Sequence, residues 1–189
     1  MKTNKTNKRL GALSAALLVA AATGAMSVAI ADGYGRGHGF GHGRGHGHSK
    51  DCNVSQAQLE RNTRTAIAFY TLAFNEGKPR LAVEKYVGVD KRGNKIYTQH
   101  NPFAQDGPEA FIAFVEFFKT ANPELNVDIK RTIAQCDLVM THAHVTLNPE
   151  DLGMAAMDIF RFDKTGRIVE HWDAVQPVEP NPANDNTQF

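Results

Sequence analysis

The sequence predicts an α+β fold, helices first and an antiparallel β-meander after them, on three observations. Two segments in the first half, opening at Ser55 and Asp106, begin with capping signals and continue with apolar residues at helical spacing. From Asn126 to Val178 the pattern changes to β-like runs divided by turn residues. The order itself is the third: parallel βαβ units would alternate helix and strand, and these do not.

The N-terminal part does not belong to that fold. Lys2, Lys5, Lys8 and Arg9 precede an apolar run from Leu10 to Ile30 that ends in the small-residue pattern Ala29-Ile30-Ala31. Residues 1–31 therefore read as a secretory signal peptide, and the protein is expected to be exported, periplasmic or secreted, with no membrane anchor after cleavage. Residues 32–50 alternate glycine with His, Arg or an aromatic residue, a composition that cannot build a core and predicts a disordered arm. His38, His42, His46 and His48 of that arm could hold Ni²⁺, Cu²⁺ or Zn²⁺ weakly. Without residues 1–31 the chain keeps 17 of its 21 Lys and Arg against 20 acids, a mildly acidic balance that argues against nucleic acid as partner.

A single domain is expected over residues 51–178. Ser55-Gln-Ala-Gln58 fits a capping box, Leu59, Ala66, Ile67, Tyr70, Ala73 and Phe74 carry a helix to about Glu76, and Gly77 ends it. Pro79 starts a short helix through Tyr86. Ile96 to His100 reads as extended and stops at Asn101-Pro102, because the residue before proline is pushed out of helical space. Asp106-Gly-Pro-Glu109 caps a further helix whose apolar face is Phe111, Ile112, Phe114, Val115, Phe117 and Phe118. Four strands follow, Val127 to Ile133, Cys136 to Leu147, Met154 to Phe162 and Ile168 to Val175, joined through Asn148 to Gly153 and Asp163 to Gly166. The tail, 179–189, is expected to be extended or disordered. Cys52 and Cys136 either pair, as export permits, or stay apart with Cys136 as a small core residue.

Strand alternation ranks the chemistry-bearing residues. Pairing His144 with Asp158 centres the connection on Asp151, and a four-residue loop from Asp163 to Gly166 pairs Asp158 with His171. His144, Asp158 and His171 would then form a row on one face, an acid/base constellation able to remove a proton next to a carbonyl. A three-residue loop with a bulge would instead set Trp172 beside Asp158. His100 is a further catalytic candidate at the rim. His142, Tyr97, Phe160 and Trp172 are candidates for the substrate lining, and Asp173 for an orienting or salt-bridging role. His-x-His with a later carboxylate also suits Zn²⁺ or Fe²⁺, but the helical first half does not fit a jelly-roll metal protein, so neither metal nor cofactor is expected in the domain.

Tyr97-Thr-Gln-His-Asn-Pro102, the apolar helix after Asp106-Gly107, and Asp158-Ile-Phe-Arg161 with Gly166-Arg-Ile-Val-Glu-His-Trp-Asp173 together resemble the SnoaL-like polyketide cyclase family of the NTF2-like superfamily, over roughly residues 55–178. The resemblance implies a cone, with N-terminal helices packed into a curved antiparallel sheet. It also implies an aspartate acting as acid/base in a metal-free aldol step with a strand histidine across from it, matched here by Asp158 and His144; His142 replaces the family's usual glutamine. Because the superfamily also holds isomerases, dehydratases and proteins that only bind, the expectation is an exported acid/base enzyme of aldol, lyase or isomerase type acting on a small apolar carbonyl compound. The alternative is a secreted non-catalytic module binding a small molecule or metal. Ile159 and Val139 would permit a homodimer through the sheet's outer face.

Overall fold

In the computed structural model residues 52–189 are described. The expected signal peptide, the arm and its four histidines lie outside them. Helix α1 spans Gln56–Tyr70, with Ser55 at its N-cap accepting from the Gln58 amide at 3.2 Å. Only half of the capping box forms: the Gln58 side chain turns forward to Asn62, 2.7 Å away, rather than back to Ser55. A π-helical turn, Thr71–Asn75, continues α1, and Gly77 ends the run at φ 64°. Helix α2 is Pro79–Tyr86 and α3 is Pro108–Ala121. Gly107, at φ 96°, caps α3 in place of Asp106, whose carboxylate instead accepts from the Gln99 amide at 2.8 Å.

The sheet has the order β1-β5-β4-β3-β2, with β1 Thr98–Gln99, β2 Asn126–Gln135, β3 Leu138–Thr146, β4 Met154–Phe162 and β5 Ile168–Pro177. All strand pairings are antiparallel except β1 with β5, and the short extended segment expected over Ile96 to His100 forms a strand over only two residues, beside His171. Cys136, at φ 55°, turns β2 into β3 and is disulfide-bonded to Cys52, their Cα atoms 5.1 Å apart. The bond ties the start of α1 to the tip of the first hairpin. No helix among the described residues is long and apolar enough to cross a membrane.

The helices lie against one face of the sheet. Phe69, Phe111, Ile112, Val115, Val139, Phe160 and Ile168 are buried between them, and Phe69 stacks on Phe111 at 4.9 Å. Burying a side chain of that size contributes about 1.5–3 kcal/mol, so this inner face is where folding energy concentrates. Val139, expected outside, is fully buried there; Ile159 is left on the outer face. The tail forms no helix or strand, yet its end returns to the sheet, where the Phe189 ring lies 4.3 Å from that of His144.

Candidate functional site

Register decides which titratable residues meet. Asp158 pairs with Thr141 on β3, whereas His144 pairs with Ala155. The connection is centred between Pro149 and Glu150, not on Asp151, whose carboxylate accepts from the amides of Leu147 and Gly153 at 2.9 and 3.0 Å and so ties the two ends of the loop together. Gly153 completes the turn at φ 79°, where a Cβ would meet the Val145 carbonyl at 2.3 Å. An odd shift of three residues reverses the face a strand shows. His144 and His142 therefore project from the outer face, away from Asp158.

On the other side two single shifts add to two. Asp163 closes a tight turn by accepting from the amides of Thr165 and Arg167 at 2.8 and 3.0 Å, and a bulge follows between Arg161 and Phe162. Asp158 then pairs with Asp173, and Phe160 with His171. An even shift preserves the face, so His171 stays beside Asp158 as a diagonal neighbour, its Nε2 3.2 Å from Oδ1. The bulge does not turn it away.

A group that the sequence pattern did not single out joins them. Tyr70, the last residue of α1 before the π-turn, donates its hydroxyl hydrogen to Asp158 Oδ1 at 2.7 Å and lies 3.0 Å from His171 Nε2. Single π-turns inside helices recur at functional positions. Thr141 donates to Asp158 Oδ2 at 3.2 Å, Gln99 Oε1 lies 3.1 Å from His171 Nδ1, and Asn101 donates to Asp173 at 2.7 Å. With the Gln99 carbonyl accepting from Nδ1–H, Nε2 faces the acid and the phenol. Asp158 and His171 are each 3 % exposed, so the network is shielded from bulk water.

Tyr97 completes the inner wall. It is buried, stacks on His171 at 5.8 Å, and its hydroxyl finds no hydrogen-bond partner in the protein. A buried hydroxyl without a partner costs about 1–3 kcal/mol, an expense expected where a ligand supplies the missing acceptor. Burial first, and then the Asp158 and Asp173 charges, push the Tyr97 phenol well above its ordinary ionisation range. The Tyr70 phenol is pushed up too, again chiefly by burial and then by Asp158. Both remain protonated donors at neutral pH. Phe160, fully buried, packs edge-on against Tyr70 and forms core beneath the site.

The remaining sequence candidates lie on the opposite face. His144 donates from Nε2 to the Leu152 carbonyl at 2.8 Å, and Phe189 covers His144 and His142. His100 stacks on Trp172 at 4.6 Å and pairs with Glu170 at 2.8 Å. Glu170 also binds Arg161, which reaches Asp137 and sits over the Trp172 ring. His100, His142, His144 and Trp172 are thus corrected from site to outer-face residues. Tyr70, Thr141, Gln99 and Asn101 take the places they were expected to fill.

The model of the SnoaL-like polyketide cyclase family matches residues 64–181. No curated protein matches the chain. Among solved structures, a provisionally assigned polyketide cyclase of Bacillus cereus ATCC 10987 aligns at 20 % identity and TM-score 0.53, covering 66 % of this chain and 80 % of its own. Provisionally assigned cyclases of Acidithiobacillus ferrooxidans, 19 % identical over 65 % of this chain and 91 % of its own, and of Jannaschia sp. CCS1, 15 % identical over 65 % and 90 %, each reach 0.51. At these identities the structures share the fold. With the family model spanning well over half of its length, the chain belongs to the SnoaL-like polyketide cyclase family.

Proposed function

We propose that the protein is a small-molecule acid/base enzyme of the lyase or isomerase type, with Asp158 as the base and a carbonyl compound as substrate. The observation that supports it is the pairing, on one buried face, of a carboxylate that accepts from Tyr70 and Thr141 and lies 3.2 Å from His171 Nε2 with the unpartnered hydroxyl of Tyr97. Family membership supports the same class of chemistry.

In the step proposed, a substrate enters with its carbonyl oxygen at the Tyr97 hydroxyl and its adjacent C–H towards Asp158. The C–H bond breaks, its proton goes to the Asp158 carboxylate, and the electron pair moves into the carbonyl to give an enolate. Tyr97 donates a hydrogen bond to the developing negative oxygen, and placing that donor in advance is what lowers the barrier. Return of the proton to another carbon completes an isomerisation; attack of the enolate carbon on a second carbonyl, whose oxygen then takes the proton back from Asp158, completes an aldol closure. His171, held by Gln99, orients Asp158 and relays its proton through Tyr70. Because Asp158 and His171 are almost fully covered, substrate reaches them only when the inner face opens.

We also propose export. Its supports are the basic and apolar N-terminal pattern and the Cys52–Cys136 disulfide, a bond that persists in oxidising compartments.

The test is a screen of small apolar ketones and aldehydes in deuterium oxide, followed by mass spectrometry. Wild type is expected to speed deuterium uptake at the carbon next to the carbonyl of at least one compound, and Asp158→Asn to abolish that gain. Uptake that survives in Asp158→Asn would remove Asp158 as the base.

A further inference from the structure

We infer that Asp158, His171 and Asp173 form a binding site for one divalent first-row transition cation, of the Zn²⁺ or Co²⁺ kind. One ligand atom from each of the three lies within 4.8 Å of the others. The spacing is tightest where it matters: Asp158 Oδ1, His171 Nε2 and the Tyr70 oxygen stand 2.7, 3.0 and 3.2 Å apart. Neighbouring ligands on one cation with bonds of about 2.0–2.2 Å stand roughly 3 Å apart, so Asp158 and His171 are already at bonding separation. Asp173, which pairs with Asp158 across the strands, brings its carboxylate within 4.8 Å of both and closes on them by side-chain rotation when the cation binds.

Each proposed ligand is held from behind. Gln99 accepts from His171 Nδ1–H and leaves the Nε2 lone pair facing the acids, Thr141 holds the far oxygen of Asp158, and Asn101 holds one oxygen of Asp173. That arrangement of outer hydrogen bonds fixes ring tautomer and carboxylate direction in metal sites. Charge favours occupancy as well. Asp158 and Asp173 face each other with no Lys or Arg paired to either among the described residues, and a divalent cation neutralises both carboxylates at once. One imidazole with two carboxylates suits a borderline cation better than Mg²⁺ or Ca²⁺, which prefer oxygen throughout. The Tyr97 hydroxyl, buried and unpartnered beside both acids, offers a hydrogen bond to a water carried by the cation.

The site uses the residues of the proposed reaction but does not depend on it, since a protein that binds the cation and never turns over a substrate satisfies the inference. Full-length protein stripped of metal is titrated with Co²⁺ and followed by visible absorption and by bound-metal analysis. Wild type, Asp173→Asn and His171→Gln all keep the four arm histidines, so metal held there cancels between them. Wild type is expected to bind one equivalent of Co²⁺ more than either variant, with Zn²⁺ displacing it, and Gln99→Ala to bind that equivalent about tenfold more weakly. Equal uptake by the three proteins overturns the inference. Should His171→Gln fail to fold, as melting curves will report, the half-buried and nearly isosteric Asp173→Asn decides alone.

Discussion

The two faces of one sheet carry similar residues and put them to different use. On the inner face Asp158, His171 and Tyr70 meet in a short polar network, and the Tyr97 hydroxyl in the same wall has no partner. On the outer face every histidine is engaged elsewhere: His144 by a loop carbonyl, His142 and His144 by the Phe189 ring, His100 by Glu170 and Trp172. Arg161 shows the contrast in charge. Burial works against its cation, but the carboxylates of Glu170 and Asp137 outweigh that and raise its ionisation further, so outer-face charges are satisfied by direct pairing. Outer pairing stabilises and leaves nothing to react; the inner face keeps a hydroxyl unsatisfied.

Substitutions should separate the faces by size of effect. On the reaction proposed, Asp158→Asn should lower turnover by about 10²–10⁴-fold, the usual contribution of a positioned acid/base, while His144→Gln and His100→Gln change it by less than about threefold. Steady-state rates on any compound found by deuterium uptake check both; a large loss in His144→Gln would erase the distinction between the faces. Removing the disulfide with Cys52→Ser and Cys136→Ser should cost about 2–5 kcal/mol of stability, read by urea unfolding, because the bond closes an 84-residue separation.

Tyr97→Phe should move stability and activity in opposite directions. Deleting the unpartnered hydroxyl should stabilise the fold by about 1 kcal/mol or more and slow the reaction, a trade expected of a functional group held at a cost. The same phenols set an alkaline limit. Their folded ionisation lies well above the ordinary tyrosine range, so above about pH 10 the unfolded chain gives up protons that the folded one retains, and stability falls as pH rises. Unfolding curves between neutral pH and pH 11 should show that fall, and it should be shallower in Tyr70→Phe and Tyr97→Phe. Deleting Phe189 should cost least, about 0.5–1.5 kcal/mol of aromatic contact, without affecting the inner face. Thermal melts and turnover of the truncated chain test both halves of that statement.

The element order, the three helices and all four long strands are legible in the sequence because capping residues, periodicity and turn residues act locally. Register is not local. Whether His144 meets Asp158 depends on how the 147–153 loop, tied at both ends by Asp151, sets the pairing, and a three-residue difference carried that histidine to the far face. The same kind of error between β4 and β5 was harmless, since a one-residue bulge added to a one-residue turn shift preserves parity. Tyr70 was visible only as one apolar position in a helix. The available signal was its hydroxyl, because a tyrosine at a core position requires a buried partner. Gln99 and Asn101 lie beside candidate residues in a segment with too few strand residues to predict its pairing. Thr141 could follow only from the correct register.

The central claim is that Asp158 and His171 share protons on the inner face and that the other domain histidines do not. Nitrogen-15 NMR of the imidazole rings in wild type and Asp158→Asn tests it directly. The account predicts that the Nε2 resonance of His171 moves strongly on this substitution while His100, His142 and His144 remain in place. An unmoved His171, or a His144 that shifts with Asp158, would contradict it.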